Sequence, residues 1–176
     1  MENVIRKCNA LQHKYSAEGE EINANKLAAK IKAMDKMNEL VKGGTILDIG
    51  GEEFYQKYSH NKIDMLNLPK DDMHYISAVE QYDGVVAMHV LEHSPFPLIV
   101  LRNIYRILKP KGILYVAVPK PTKLFETFFP DHITMMSKDM WEKLIIMSGF
   151  TILEEQENQF NPYPDWIENI FLCQKQ

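Results

Sequence analysis

The residues best suited to chemistry are gathered in two short stretches and one loop. His89-Val90-Leu91-Glu92-His93 puts two imidazoles and a carboxylate within five positions, and a further histidine, His132, lies some forty residues on. Imidazole titrates near neutrality and suits proton transfer, so His89, His93 and His132 are the candidates for acid–base work. For each, the competing role is to cap a helix or fix a loop. Upstream, Asp48-Ile49-Gly50-Gly51 sets a carboxylate and two glycines at the end of a short apolar run. Glycines after a strand let the backbone turn sharply and come close to a ligand, and Asp48 offers a charge for a cationic group. The competing role there is an ordinary tight turn.

The first stretch also fits H-x-x-E-H, a spacing by which a helix presents two imidazoles to zinc. That chemistry needs the whole motif on one helix. Pro95 and Pro97 follow directly, so the motif is expected mostly in a loop. No third ligand stands out in the sequence, and no metal site is expected at His89 and His93.

The elements that would position these groups alternate between strand and helix. A helix is expected up to Lys42, with Leu27, Ile31, Met34, Leu40 and Val41 on its apolar face and Gly43-Gly44 as its stop. The runs at Thr45–Ile49, Asp83–Met88 and Ile113–Val118 read as buried parallel strands. Ile63–Leu66 is a further strand candidate, a short helix is expected over Glu52–Tyr58, and Tyr75–Val79 is ambiguous. Ser94–Leu108 reads as a helix capped by Ser94 and ended by Lys109-Pro110-Lys111-Gly112. Ser137–Ser148 reads as another, with Ser137 as cap and Gly149 as stop. Phe150–Glu154 and Ile167–Cys173 read as closing strands separated by a Pro-aromatic loop. The expectation is a single α/β domain over residues 1–176, with 1–42 as an N-terminal helical extension. Its sheet should be mainly parallel with an antiparallel edge hairpin, and helices should cover both faces. Strands Thr45–Ile49, Asp83–Met88 and Ile113–Val118 should lie side by side.

Composition narrows the function. Hydrophobic residues make up 45% and charged residues 25% of 176 residues, as in a globular protein. The net charge of -4 argues against nucleic acid as the main partner. Lys109, Lys111, Lys120 and Lys123 read as solvated loop charge. Ten methionines read as soft core filler. Two cysteines, Cys8 and Cys173, do not make a disulfide framework. Met1–Asn9 has no apolar signal core and no run is long enough to span a bilayer, so a cytoplasmic location without a membrane partner is expected.

In order along the chain, ILDIGG, YDGVVAMHVLEHSPFP, LRNIYRILKPKGILYVAVP and DHITMMSKDMWEKLIIMSGF resemble the successive motifs of class I S-adenosylmethionine-dependent methyltransferases, from about Thr45 to Phe150. The middle block resembles small-molecule members most. The resemblance implies a Rossmann-like sheet of seven strands in the order 3-2-1-4-5-7-6. It implies S-adenosylmethionine as cofactor, held by Asp48, Gly50, Gly51 and Glu52 in the glycine-rich loop. It also implies Asp64 as the ribose-side acid, Asp72 as the adenine-side acid, and Met88 with His89 beside the sulfonium centre. Two glycines of the usual loop are replaced here by Glu52 and Phe54, and the segment from Asp64 to Asp83 is short, so a helix or the third strand should be reduced. The implied activity is methyl transfer to a small molecule or a carried group. The alternative is a methyltransferase-like binding or scaffold protein. Tyr15, Phe128, Phe129, Trp141, Tyr163 and Trp166 are candidates to line an acceptor pocket. The acceptor and the oligomeric state are not specified by the sequence.

Overall fold

The computed structural model describes residues 27–50, 59–66, 72–122, 131–160 and 166–176. Its centre is a six-stranded sheet. Strands β1 (Thr45–Ile49), β2 (Lys62–Leu66), β3 (Tyr82–Met88) and β4 (Leu108–Pro119) run parallel, and β6 (Ile167–Lys175) and β5 (Phe150–Gln159) close one edge antiparallel, in the order β2-β1-β3-β4-β6-β5. The three expected central strands therefore lie side by side and parallel. Their apolar runs are buried on both faces, as a covered parallel sheet requires. The order matches the implied one without its third strand. Residues 75–79 form neither strand nor helix, and the short span between β2 and β3 has no other strand among the described residues.

Alternation divides each central strand between two cores. Leu47, Ile49, Val85, Ala87, Leu114 and Val116 face helices α2 (Pro97–Ile107) and α3 (Lys138–Met147), where Val100, Leu101, Ile104, Trp141 and Ile145 are buried. Ile46, Val86, Met88, Tyr115 and Ala117 face α1, the helix over residues 27–40. Its buried side is Ala29, Ala33, Met34 and Met37, with Val41 just beyond. Leu27 and Leu40, expected on that side, are exposed. The face is chosen by the alanines, which let the helix approach the sheet closely.

Three boundaries differ from the sequence reading. Helix α2 starts at Pro97 with Phe96 at its N-cap, and Ser94 instead accepts the Phe96 N–H at 3.0 Å one turn earlier. A proline fits the first helical position because its missing N–H would be unpaired there anyway. After α2 the chain enters β4 at once: Leu108 pairs with Tyr82, a bulge follows, and Ile113 pairs with Gly84. Strand β5 runs on to Gln159 because its outer half is an exposed edge carrying Glu154, Glu155 and Glu157, a composition that blunts edge-to-edge pairing. Helix α3 is capped as expected, with the Ser137 side chain accepting from the Met140 N–H. No helix among the described residues is long and apolar enough to cross a membrane.

Candidate active site at the carboxyl edge of the sheet

Ligands in open α/β sheets bind beyond the carboxyl ends of the parallel strands. At the end of β1, Asp48 is buried, and Gly50 takes a φ of 73° while its N–H bonds the Leu66 carbonyl at 2.8 Å. Gly50 is thus the left-handed turn that the glycine pair promised. Gly51, Glu52 and Phe54, with the helix expected over Glu52–Tyr58, lie outside the described residues.

One strand over, β3 ends at Met88 and the chain turns at His89, whose φ is 52°. A left-handed non-glycine residue is uncommon and strained, by about 1–3 kcal/mol. Its N–H still bonds Ala117 in β4 at 2.8 Å. The ring lies between two carboxylates that are both fully buried: Nε2 is 2.7 Å from Glu168, and Nδ1 is 3.5 Å from Glu92. Asn158 donates to the other Glu168 oxygen at 2.8 Å. Burial by itself would push the His89 imidazole down, but the bond to Glu168 and the charge of Glu92 outweigh it and raise its pKa to about 9. At neutral pH His89 is an imidazolium with both nitrogens facing carboxylates.

The turn continues as a single 3-10 turn, Leu91–His93. The H-x-x-E-H stretch is accordingly not one helix. His93 instead meets His132, whose ring stands edge-on to it with centroids 4.8 Å apart. The loop bearing His132 is held by the Thr134 N–H on the Glu92 carbonyl at 2.9 Å, and by the Thr134 hydroxyl on the Ser94 carbonyl at 2.5 Å. Burial is the largest influence on His132 and pushes its pKa below the ordinary value, against the charge of Glu92. All three candidate histidines thus meet around Glu92.

The other cofactor candidates are placed differently. Asp64 sits inside β2, two residues short of its end, and its carboxylate is 3.0 Å from the Lys62 ammonium. The strand runs on past it, so Asp64 is not at the carboxyl edge. Asp72 is engaged by the His74 N–H at 2.8 Å and by His74 Nδ1 at 2.7 Å, which hold its carboxyl below the usual range. Met88 packs into the α1-side core. Trp141, an acceptor-pocket candidate, is a fully buried core residue against α2, and Trp166 packs edge-on to Phe160 in the α1-side core. Tyr15, Phe128, Phe129 and Tyr163 lie outside the described residues.

His74 also reaches Ser94 Oγ through Nε2 at 2.8 Å, completing an Asp72–His74–Ser94 relay. The spacing is that of a nucleophile, base and orienting acid. Ser94 is fully buried, however, and its oxygen is already bonded by the Phe96 N–H. The relay locks the turn before α2 and does not attack a substrate.

Sequence reading missed Glu168, Asn158 and His74. The only signal was the polar pair Glu168-Asn169 inside the otherwise apolar run IENIFLC.

A family model described as a methyltransferase domain matches residues 8–155. No curated protein sequence matches the chain. Among solved structures, the 1,6-didemethyltoxoflavin-N1-methyltransferase of Burkholderia thailandensis, crystallised with 1,6-didemethyltoxoflavin and S-adenosylhomocysteine, is similar over 99% of this chain and 88% of that one, with TM-score 0.71 and 14% identity. Phosphoethanolamine N-methyltransferase 2 of Haemonchus contortus, in complex with S-adenosyl-L-methionine, is similar over 82% of this chain and 52% of that one, with TM-score 0.65 and 12% identity. The cyclase SpnF has TM-score 0.61 and 15% identity over 82% and 80%. At these identities the likeness is one of fold, and the fold also carries a cyclase. The family match over most of the sequence is the stronger finding, and by it this chain belongs to the methyltransferase domain family.

Proposed function

We propose that the chain transfers a methyl group from S-adenosylmethionine to a nucleophilic atom of a small molecule, or of a group carried by a larger partner. The observation that carries this reading is the adjacency of two features at the carboxyl edge. Asp48 and the left-handed Gly50 end β1, and the His89–Glu92–His93–His132 cluster follows β3, the strand paired with it. Family membership and neighbours crystallised with S-adenosylmethionine or S-adenosylhomocysteine support it.

The β1 end fits such a cofactor. A buried carboxylate suits a ligand with a positive charge, and a left-handed glycine leaves its backbone open to close approach. When bound, S-adenosylmethionine supplies the methyl group on a sulfonium, ready for in-line displacement by the acceptor. The protein's part is to align that acceptor and exclude water, which can supply much of the rate. We assign His93 and His132 to the acceptor side and His89 to positioning. Locked between Glu168 and Glu92, His89 fixes the turn that carries His93.

Calorimetry with the full chain tests the reading. S-adenosylmethionine and S-adenosylhomocysteine should each bind, and Gly50→Val should abolish binding while circular dichroism stays unchanged, because valine cannot easily hold a φ of 73°. Absence of binding by the unaltered protein would overturn the proposal. Labelled methyl donor offered with small oxygen and nitrogen nucleophiles then identifies the acceptor class.

A further inference from the structure

We propose that Glu92, His93 and His132 form a binding site for one divalent first-row transition-metal ion. Each residue offers one ligand atom, and these atoms all lie within 4.8 Å of one another. The site stands whether or not the chain transfers a methyl group.

The strongest argument is the state of Glu92. Its side chain is fully buried, and neither carboxylate oxygen accepts a hydrogen bond from the described residues. Its nearest positive or potentially positive neighbours are His89 Nδ1 at 3.5 Å and His132 Nε2 at 4.0 Å. The His89 imidazole is thus one ion partner at a long distance, which is little compensation for a fully buried carboxylate, and such groups in folded proteins are normally closely paired or bound to a metal. A cation between Glu92 and the two histidines would satisfy both oxygens at once.

The donor set selects the ion. Two imidazoles and one carboxylate suit zinc, iron, cobalt or manganese, whereas calcium and magnesium prefer oxygen ligands throughout. Metal bonds of about 2.0–2.2 Å put tetrahedral ligand atoms roughly 3.4 Å apart. Closing from 4.8 Å to that spacing asks for a side-chain adjustment, for which His93, with its side chain 32% exposed, has room. The outer partners are already in place. His93 Nδ1 is 3.0 Å from the Asp131 carbonyl, which favours a proton on that nitrogen and leaves the lone pair on Nε2. His89 braces Glu92 and is itself held by Glu168. The arrangement is not that of a zinc peptidase helix, because His89 Nε2 is taken by Glu168 and the third ligand comes from the loop before α3. That loop residue is what the linear motif could not reveal.

The test uses the full chain, purified without a histidine tag and stripped with chelator. Cobalt(II) is titrated in while visible d–d absorption and calorimetry are followed. One equivalent should bind, develop d–d bands and be displaced by zinc, and the ion should raise the melting temperature. His93→Ala and His132→Ala should each weaken binding by at least about 10–100-fold, the loss an outer partner alone brings, and remove the thermal shift, whereas His60→Gln, at a remote surface histidine, should change neither. His93 is partly exposed, so its replacement should leave the fold intact by circular dichroism and keep the test readable even where Glu92→Gln fails to fold. No d–d absorption at millimolar cobalt, or binding unchanged in both histidine variants, would overturn the proposal.

Discussion

Replacing Glu168 by glutamine tests the central electrostatic argument, because it keeps the shape of the side chain and removes its charge. In the native protein His89 holds its proton up to a pKa of about 9, against 6.5 for an ordinary imidazole. A group whose pKa is raised on folding contributes stability that is fully present below its unfolded pKa and is lost as pH rises through the folded one. The contribution is about 3 kcal/mol, present at pH 6 and fading between about pH 6.5 and 9. Glu168 is the closer partner, 2.7 Å from Nε2, while Glu92 stands at 3.5 Å from Nδ1. Glu168→Gln should therefore remove more than half of that pH-dependent stability. At pH 6 the variant should be less stable by about 2–3 kcal/mol, within the range expected for breaking a buried pair whose surviving partner can lose its charge. Near pH 9.5 the native histidine is neutral and two buried carboxylates face it without a cation, so the variant should equal or exceed the native protein. Urea unfolding from pH 6 to 9.5, with chelator present, gives both curves, and their difference cancels the titrations they share. Curves that stay parallel, offset by a constant, would mean that Glu168 acts by packing alone and would refute the reasoning.

Gly149→Ala should destabilise the fold by about 2–4 kcal/mol, read as a lowered urea midpoint. Gly149 has a φ of 102°, and an added Cβ would stand 2.8 Å from the Tyr105 ring, which packs edge-on to Phe150. Asp83→Asn should cost no more than about 1 kcal/mol above pH 5 and nothing near pH 2. Burial works against that half-buried carboxylate, but Lys109 and the Thr45 N–H, each at 2.9 Å, outweigh it and hold its pKa below 3.8. A depressed acid contributes stability that disappears as pH falls, so native and variant unfolding curves should converge in acid.

The elements legible in the sequence were those whose burial is uniform. TILDI, DGVVAM and ILYVAV are largely apolar on both faces. Pro95 and Pro97 likewise showed that the H-x-x-E-H stretch could not be one helix. Polar elements hid their structure. The outer half of β5, EEQENQ, lacks an apolar alternation because one edge faces solvent and its partners are backbone groups of β6. The face of α1 was misread because small alanines define it, and a pattern search weights leucine more heavily. Within the site, the histidines could be nominated from residue type alone. Their roles could not, because each depends on a partner distant in sequence: Glu168 for His89, the loop carbonyl of Asp131 for His93, and Glu92 for His132. Asp64 was nominated through the family resemblance, as the acid after the second strand, but β2 continues two residues past it.

The long reach from His89 to Glu168 follows from the one strand that runs against the others, β6. Parallel strands deliver only their last residues to the carboxyl edge, among them Ile49, Leu66, Met88 and Pro119. Because β6 runs antiparallel, it delivers its first residues there, and Glu168 pairs with Pro119 in register. The far end of the same strand brings Lys175 to the opposite edge, where its ammonium bonds the Leu108 carbonyl at 2.7 Å. One strand thus carries a buried anion at the ligand edge and a buried cation at the other. The anion reaches across β4 to His89 and helps to hold a left-handed turn that would be strained on its own. Its grip sets the start of the turn that presents Glu92 and His93 to His132. Had β6 been parallel, Glu168 would lie at the edge remote from the ligand, and His89 would have no close partner there. The antiparallel hairpin is therefore a working part of the site, coupling a residue late in the sequence to the turn after β3.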